Sequence, residues 1–349
     1  MAYTTINKST DHFNTVLYTG NTSAPRTITG VGFQADLNWT KNRSATQDHW
    51  LADAVRGSTK IIRANTTNVE VNAPSNGSIS SFNADGYVLQ AGSSADLNYN
   101  TENNNYVSWN WKANNSDSTN SDGSITSYVS ANTTAGFSIV KYSGTLANAT
   151  VGHGLGVAPK VIFIKCRGTG ARSWVVYHDS IGNTKHLTLQ ETDAAATSSA
   201  SFNDTSPTSS VFSLGTSNNA NDNTTMVAYC FAPIKGYSKF GSYTGNGNAD
   251  GTFVYTGFKP AFILVKDSTG SGNNWFIWDN KRDGYNVVNR YLRPNLANVE
   301  GYYEAIDILS NGFKNRNTSG SANGSETYIY MAFAESPFVS SGGIPTTAR

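Results

Sequence analysis

A chain of 349 residues with 25 Lys and Arg against 24 Asp and Glu carries a formal charge of +1, and it is long enough for two or three domains with separate cores. Charged residues make up only 14% of it, so no global field draws in nucleic acid or an anionic membrane surface. Asn, Ser, Thr and Gly fill the gaps between short apolar runs and aromatics reach 12%, a balance that suits strands joined by polar turns and predicts an all-β fold.

Met1 to Lys8 holds no apolar core of signal-peptide type, and residues 1–12 read as an N-terminal arm. A first β module is expected over 13–113, with Tyr18-Thr19-Gly20, Gly32-Phe33, Lys41 and Trp50 as landmarks and the aromatic strand Tyr106 to Trp111 at its close. Residues 114–135 are rich in Ser, Asn, Thr and Asp, bury little, and read as a polar linker. The landmarks return in a second module, 136–233, as Tyr142-Ser143-Gly144, Gly156-Val157, Lys165, Trp174 and Met226 to Phe231. A third module, 234–335, repeats them as Tyr243-Thr244-Gly245, Gly257-Phe258, Lys266, Trp275 and Tyr328 to Phe333, and 336–349 remain as a C-terminal tail. Val161 to Lys165 and Ala261 to Lys266 are near-continuous apolar runs, expected of strands covered on both faces, with Trp174 to Tyr177 and Trp275 to Trp278 as partners. The sum is three tandem β-sandwich or jelly-roll-like modules, the last two joined tightly at Pro233-Ile234-Lys235-Gly236 in a fixed orientation. Both short ends are expected to order only on a partner.

The chemistry-bearing residues form no recognisable site. Cys166 and Cys230 read as free buried thiols. His12, His49, His153, His178 and His186 lack metal-ligand spacing, so neither a metal nor a cofactor is expected. Gly152-His153-Gly154-Leu155-Gly156 lacks the Lys-Ser/Thr of a phosphate loop and reads as a repeat turn. Asp48, Asp53, Asp279 and Asp283 lie near the landmark Trp positions and would serve a glycan-cleaving enzyme, yet turn chemistry accounts for them better, so no catalytic residue is assigned. Trp50, Trp174 and Trp275 recur and read as core. Trp39 and Trp278 are unmatched, which makes them the candidate receptor contacts, able to stack on sugar faces.

Several segments carry a resemblance: Met1-Ala2-Tyr3-Thr4-Thr5-Ile6-Asn7-Lys8-Ser9, Gly30-Val31-Gly32-Phe33-Gln34, Trp39-Thr40-Lys41-Asn42-Arg43-Ser44, Ser81-Phe82-Asn83-Ala84-Asp85-Gly86-Tyr87 and Ile308-Leu309-Ser310-Asn311-Gly312-Phe313-Lys314. With them the chain resembles repeated-module structural proteins, of tail or fibre type, of marine tailed bacteriophages. The resemblance implies a virion protein made in the host cytoplasm and released by lysis, with other virion proteins as partners and no membrane insertion. On that footing the expected function is non-enzymatic: a surface-exposed tail-fibre or adhesin component contacting a host cell-surface glycan or protein. A homo-oligomer is expected, a trimer by analogy with fibres. A head-decoration or neck protein and a tail-associated glycan depolymerase are the alternatives. Asn38-Trp39-Thr40 replaces the apolar runs at Phe163 and Leu264, so the first module is expected to be edge-exposed or engaged by a neighbour.

Overall fold

The computed structural model describes residues 3–93, 99–168 and 170–347. Strands dominate it, as the turn-rich and aromatic composition requires, and helix is confined to short turns such as Ser199–Phe202 and Asn218–Asn221. The fold is all-β and built of antiparallel sheets.

Three large sheets share one strand order, in which an opening strand lies beside the closing strand, followed by an inner and an outer strand. In the first sheet these are Phe13–Thr19, Asn105–Trp111, Leu37–Asn42 and Trp50–Asp53. In the second they are Phe137–Ser143, Thr225–Phe231, Val161–Cys166 and Val175–His178. In the third they are Ser238–Thr244, Thr327–Pro337, Phe258–Asp267 and Phe276–Asp279. A smaller sheet or strand pair accompanies each, for example Phe253–Tyr255 with Gly312–Asn315 and Ile306–Leu309 beside the third.

Side-chain alternation explains the continuous apolar runs. Along Val161–Cys166, Val161 and Phe163 point into a core shared by all three sheets, while Ile162, Ile164 and Cys166 point into a separate cluster closed by the second small sheet. Phe262 and Leu264 face the shared core, and Ile263 and Val265 the third sheet's own cluster. Both faces are dry, so both must be apolar. The closing strands carry Trp111, Phe231 and Phe333, whose ring centroids form a triangle with sides of 6.3, 5.7 and 5.9 Å at the centre of the shared core.

Two expectations are corrected here, and the polar strand of the first module finds its reason. The polar stretch 114–135 is not a bare linker: Ser118–Asn120 and Ser127–Asn132 are strands that extend the second sheet beyond its opening strand. Alternation suffices, because Ser127 and Val129 turn inward while Tyr128 faces out over Lys141. The N-terminal arm is ordered against the rest of the chain, with Ile6 in the shared core, Thr4 donating to the Lys235 carbonyl at 2.8 Å and Asn7 accepting from the Ser341 N–H of the tail at 2.7 Å. Leu37–Asn42 is wholly buried. Its polar residues are satisfied internally, Asn38 donating to Asn110 Oδ1 at 2.8 Å and Thr40 to Asn38 Oδ1 at 2.7 Å, so neither solvent nor a neighbour is needed.

Candidate binding surface

Two of the four carboxylates that invited an enzymatic reading, Asp53 and Asp279, are locked at the seams between sheets. After the first sheet's outer strand, Asp53 pairs with Arg56, and Arg56 Nη1 reaches Glu70 at 2.9 Å. Arg167 of the second sheet clamps Glu70 with two bonds of 2.8 and 2.9 Å, and Tyr229 donates to Asp53 at 2.7 Å. The third sheet repeats this with Asp279, Arg282 and Glu300, which meet Arg43 and Trp109 of the first sheet. Asp53, Asp279, Arg56 and Arg282 have fully buried side chains. Burial pushes Glu300 upward in pKa, but the Arg43 hydrogen bond and the charges of Arg282 and Arg43 outweigh it and hold the carboxyl below its ordinary range. Asp48 binds Arg63 and Asn65, and Asp283 is engaged through both oxygens by Arg290 and backbone N–H groups. Asp53 and Asp279 are thereby sealed among arginines, out of reach of a glycan chain, which needs its carboxylates in an open cleft.

Trp39 and Trp278 are corrected as receptor contacts. Trp39 is 5% exposed, in the shared core, and Trp278 is 1% exposed, in the third sheet's cluster. Each satisfies its indole N–H internally, Trp39 on His49 Nδ1 at 3.0 Å and Trp278 on the Glu304 carbonyl at 2.7 Å. Phe163 and Tyr177 stand at the matching places of the second sheet and are buried too, so each Trp occupies a position that the repeated fold keeps covered. Burial lowers the pKa of all five histidines. Among the described residues no cluster of His, Cys, Asp and Glu could hold a metal ion, and no helix is long and apolar enough to cross a membrane.

What does face outward is a loop of the third sheet, between the outer strand ending at Asp279 and the strand Ile306–Leu309. Tyr285 and Tyr303 are 82% and 89% exposed, and Tyr302 and Val287 are also exposed. The base of the loop is rigid. Arg290 bonds Asp283 at 2.9 Å and Glu300 at 3.1 Å, Asn286 exchanges two 2.9 Å hydrogen bonds with Ile308, and Tyr291 pairs with Gly301 through the backbone. The Arg290 guanidinium lies 5.1 Å from the Tyr302 ring centroid. Tyr303 sits at φ +103°, a backbone position that a bulky residue adopts at a cost of about 1–3 kcal/mol and keeps only where the surroundings dictate it. The sequence did carry a signal for these tyrosines: they stand next to glycines, in Gly284-Tyr285 and Gly301-Tyr302-Tyr303, outside any apolar run.

Chemically the surface offers phenol rings and hydroxyls beside a cation already held in place, which suits contact with a ligand carrying both C–H faces and hydroxyls. A comparison with curated proteins finds no match. The model of one family, described as a domain of unknown function (DUF7483), matches residues 8–337, so the chain belongs to the DUF7483 family.

Proposed function

We propose that this chain is a non-enzymatic structural protein of a tailed-bacteriophage virion, built of three tandem β-sandwich modules around a shared core, and that its outward tyrosine loop contacts a glycan of the host cell surface. The tyrosine loop carries this reading. Tyr285, Tyr302 and Tyr303 project from a base fixed by Asp283, Arg290 and Glu300, so little loop backbone has to be ordered at binding. Repeated strand order in the three large sheets supports the tandem arrangement. Within this proposal the protein acts as a tail-fibre or adhesin component beside other virion proteins, as a homo-oligomer released by lysis.

The test is retention of the purified full chain on host cells with and without enzymatic stripping of surface glycans. Retention should fall on stripped cells, and Tyr285→Ser, Tyr302→Ser and Tyr303→Ser together should abolish it at unchanged melting temperature. Equal retention on both cell preparations overturns the reading.

A further inference from the structure

A second feature lies where the N-terminal arm meets the third sheet, in a cleft of ≈ 600 Å³ lined by residues that include Tyr3, Lys235, Lys239, Tyr255 and Gly257. The volume falls within the range of small-ligand sites, roughly 300–1,000 Å³. Among the described residues no carboxylate lines it. The Lys235 ammonium stands 4.9 Å from the Tyr3 ring centroid, and that of Lys239 stands 5.1 Å from the Tyr255 centroid while donating to the Tyr255 carbonyl at 2.7 Å. Tyr3 donates to the Gly257 carbonyl at 2.7 Å, which fixes the arm as one wall, and its hydroxyl lies 3.4 Å from that of Tyr255. Many of the other cations in this chain, Arg43, Arg56, Arg167, Arg282 and Arg290 among them, are spent on carboxylates. Neither Lys235 nor Lys239 is in an ion pair among the described residues, and each is held by a ring instead.

We infer that this cleft binds a carboxylate-bearing saccharide. Two ammonium groups without a counterion supply charge for one carboxylate, and charge-assisted bonds of this kind are stronger than neutral ones. The tyrosine rings and their paired hydroxyls supply what a sugar ring needs beside its carboxylate, an apolar edge and hydroxyl partners; a bare inorganic anion uses neither. The cleft shares no residue with the tyrosine loop, so this assignment stands apart from the receptor reading.

Calorimetric titration of the full chain with digalacturonate, against neutral digalactose and inorganic phosphate, tests it. Digalacturonate should bind at least about tenfold more tightly than either comparator, and binding should weaken with added salt. Lys235→Gln and Lys239→Gln should each weaken it about tenfold, the loss expected for one charge-assisted bond. Lys235 is exposed and Lys239 half-buried with one side-chain hydrogen bond to the protein, so melting temperatures should fall by little, and the tyrosine-loop variant should bind digalacturonate as the parent does. Absence of digalacturonate binding, equal affinity for digalactose, phosphate binding as tight as digalacturonate, or unchanged affinity in both lysine variants overturns the assignment.

Discussion

At the scale of single residues, the seams between sheets show how a buried charge network is kept or abandoned as a unit. Backbone bonds align the three seams: Glu70 N–H to the Arg167 carbonyl, Glu300 N–H to that of Arg43, and Ala195 N–H to that of Ser268. Where two seams carry Asp, Arg, Glu and a facing Arg, the seam between the second and third sheets carries His178, Ile181, Ala195 and Ser268, with Ile181 and Ala195 packed on the shared core. Removing one partner of a buried ion network strands the others at a cost of about 3–5 kcal/mol, whereas replacing the set with apolar groups can be nearly neutral. Arg282→Ile alone should therefore cost about 3–5 kcal/mol in urea unfolding. Arg43→Ser, Asp279→His, Arg282→Ile and Glu300→Ala combined should cost less than that single change; a loss near the sum of the four single variants would refute the unit behaviour. His178 holds its place in the third seam by accepting from the Ser180 N–H on Nδ1, which leaves the Nε2 proton to donate to the Tyr330 carbonyl.

At the scale of elements, the recurring Tyr-x-Gly landmark is a lock between the end of the opening strand and the loop entering the closing strand. Tyr18, Tyr142 and Tyr243 donate to the carbonyls of Tyr99, Ala220 and Ala322 at 2.8, 2.6 and 2.6 Å. The next residue in each loop, Asn100, Asn221 or Asn323, accepts from the backbone N–H just past the glycine. Glycine is required because a Cβ at Gly20, Gly144 or Gly245 would run into the carbonyl of Thr101, Asp222 or Gly324. Gly245→Ala should lower stability by about 2 kcal/mol or more, read from denaturant midpoints, because the obstruction is backbone and cannot rotate away. A second landmark is displaced. The pairing of Leu37 with Asp53 and of Val161 with His178 sets His49, not Trp50, opposite the place of Trp174 and Trp275. A shift of one residue turns a side chain to the other face, and Trp50 accordingly lies in the first sheet's own cluster while Trp174 and Trp275 lie in the shared core.

At the scale of the whole molecule, the shared core makes the three sheets interdependent. Phe163, Trp174, Tyr229 and Phe231 of the second sheet are covered by the other two, so residues 114–235 produced alone should aggregate or self-associate in sedimentation, while the full chain unfolds in one transition. A soluble, monomeric and folded fragment would contradict this. The pH dependence also belongs to the whole fold. Burial lowers His178 to about 4, against 6.5 for an exposed imidazole, so between those values the unfolded chain binds the proton and the folded chain does not. Stability is therefore lost as pH falls from about 6.5 toward 4, on the order of 3 kcal/mol for His178, with the other four histidines acting in the same direction. His178→Asn keeps an acceptor for the Ser180 N–H and should flatten the midpoint-versus-pH curve in that window; an unchanged slope would count against the assignment. Lys41, lowered to about 7, and Lys165 and Lys266, lowered to about 8, are buried in the same way. Each has a depressed folded-state pKa, so stability should rise from about pH 7 to about 9, above which the buried Cys230 thiol, raised by burial, begins to act in the opposite direction.

The amino-acid sequence by itself determined the all-β class, the recurring landmarks and the doubly covered strands, because turn residues and strand alternation are local properties that burial then enforces. Burial of Cys166 and Cys230 as free thiols follows from the same apolar strands. Tertiary structure alone decided that the polar stretch 114–135 adds strands to a sheet, that Trp39 and Trp278 face inward, and that Asp53 and Asp279 serve seams. Each of these depends on what a neighbouring sheet presents: a lone Asp-x-x-Arg reads the same in a solvated turn as in a buried clamp, until Arg167 or Arg43 arrives from elsewhere in the chain. The exposed tyrosines follow the same reasoning. Their sequence neighbours mark a loop, but only the ion pairs of Arg290 and the packed sheet beneath decide that the rings stand outward.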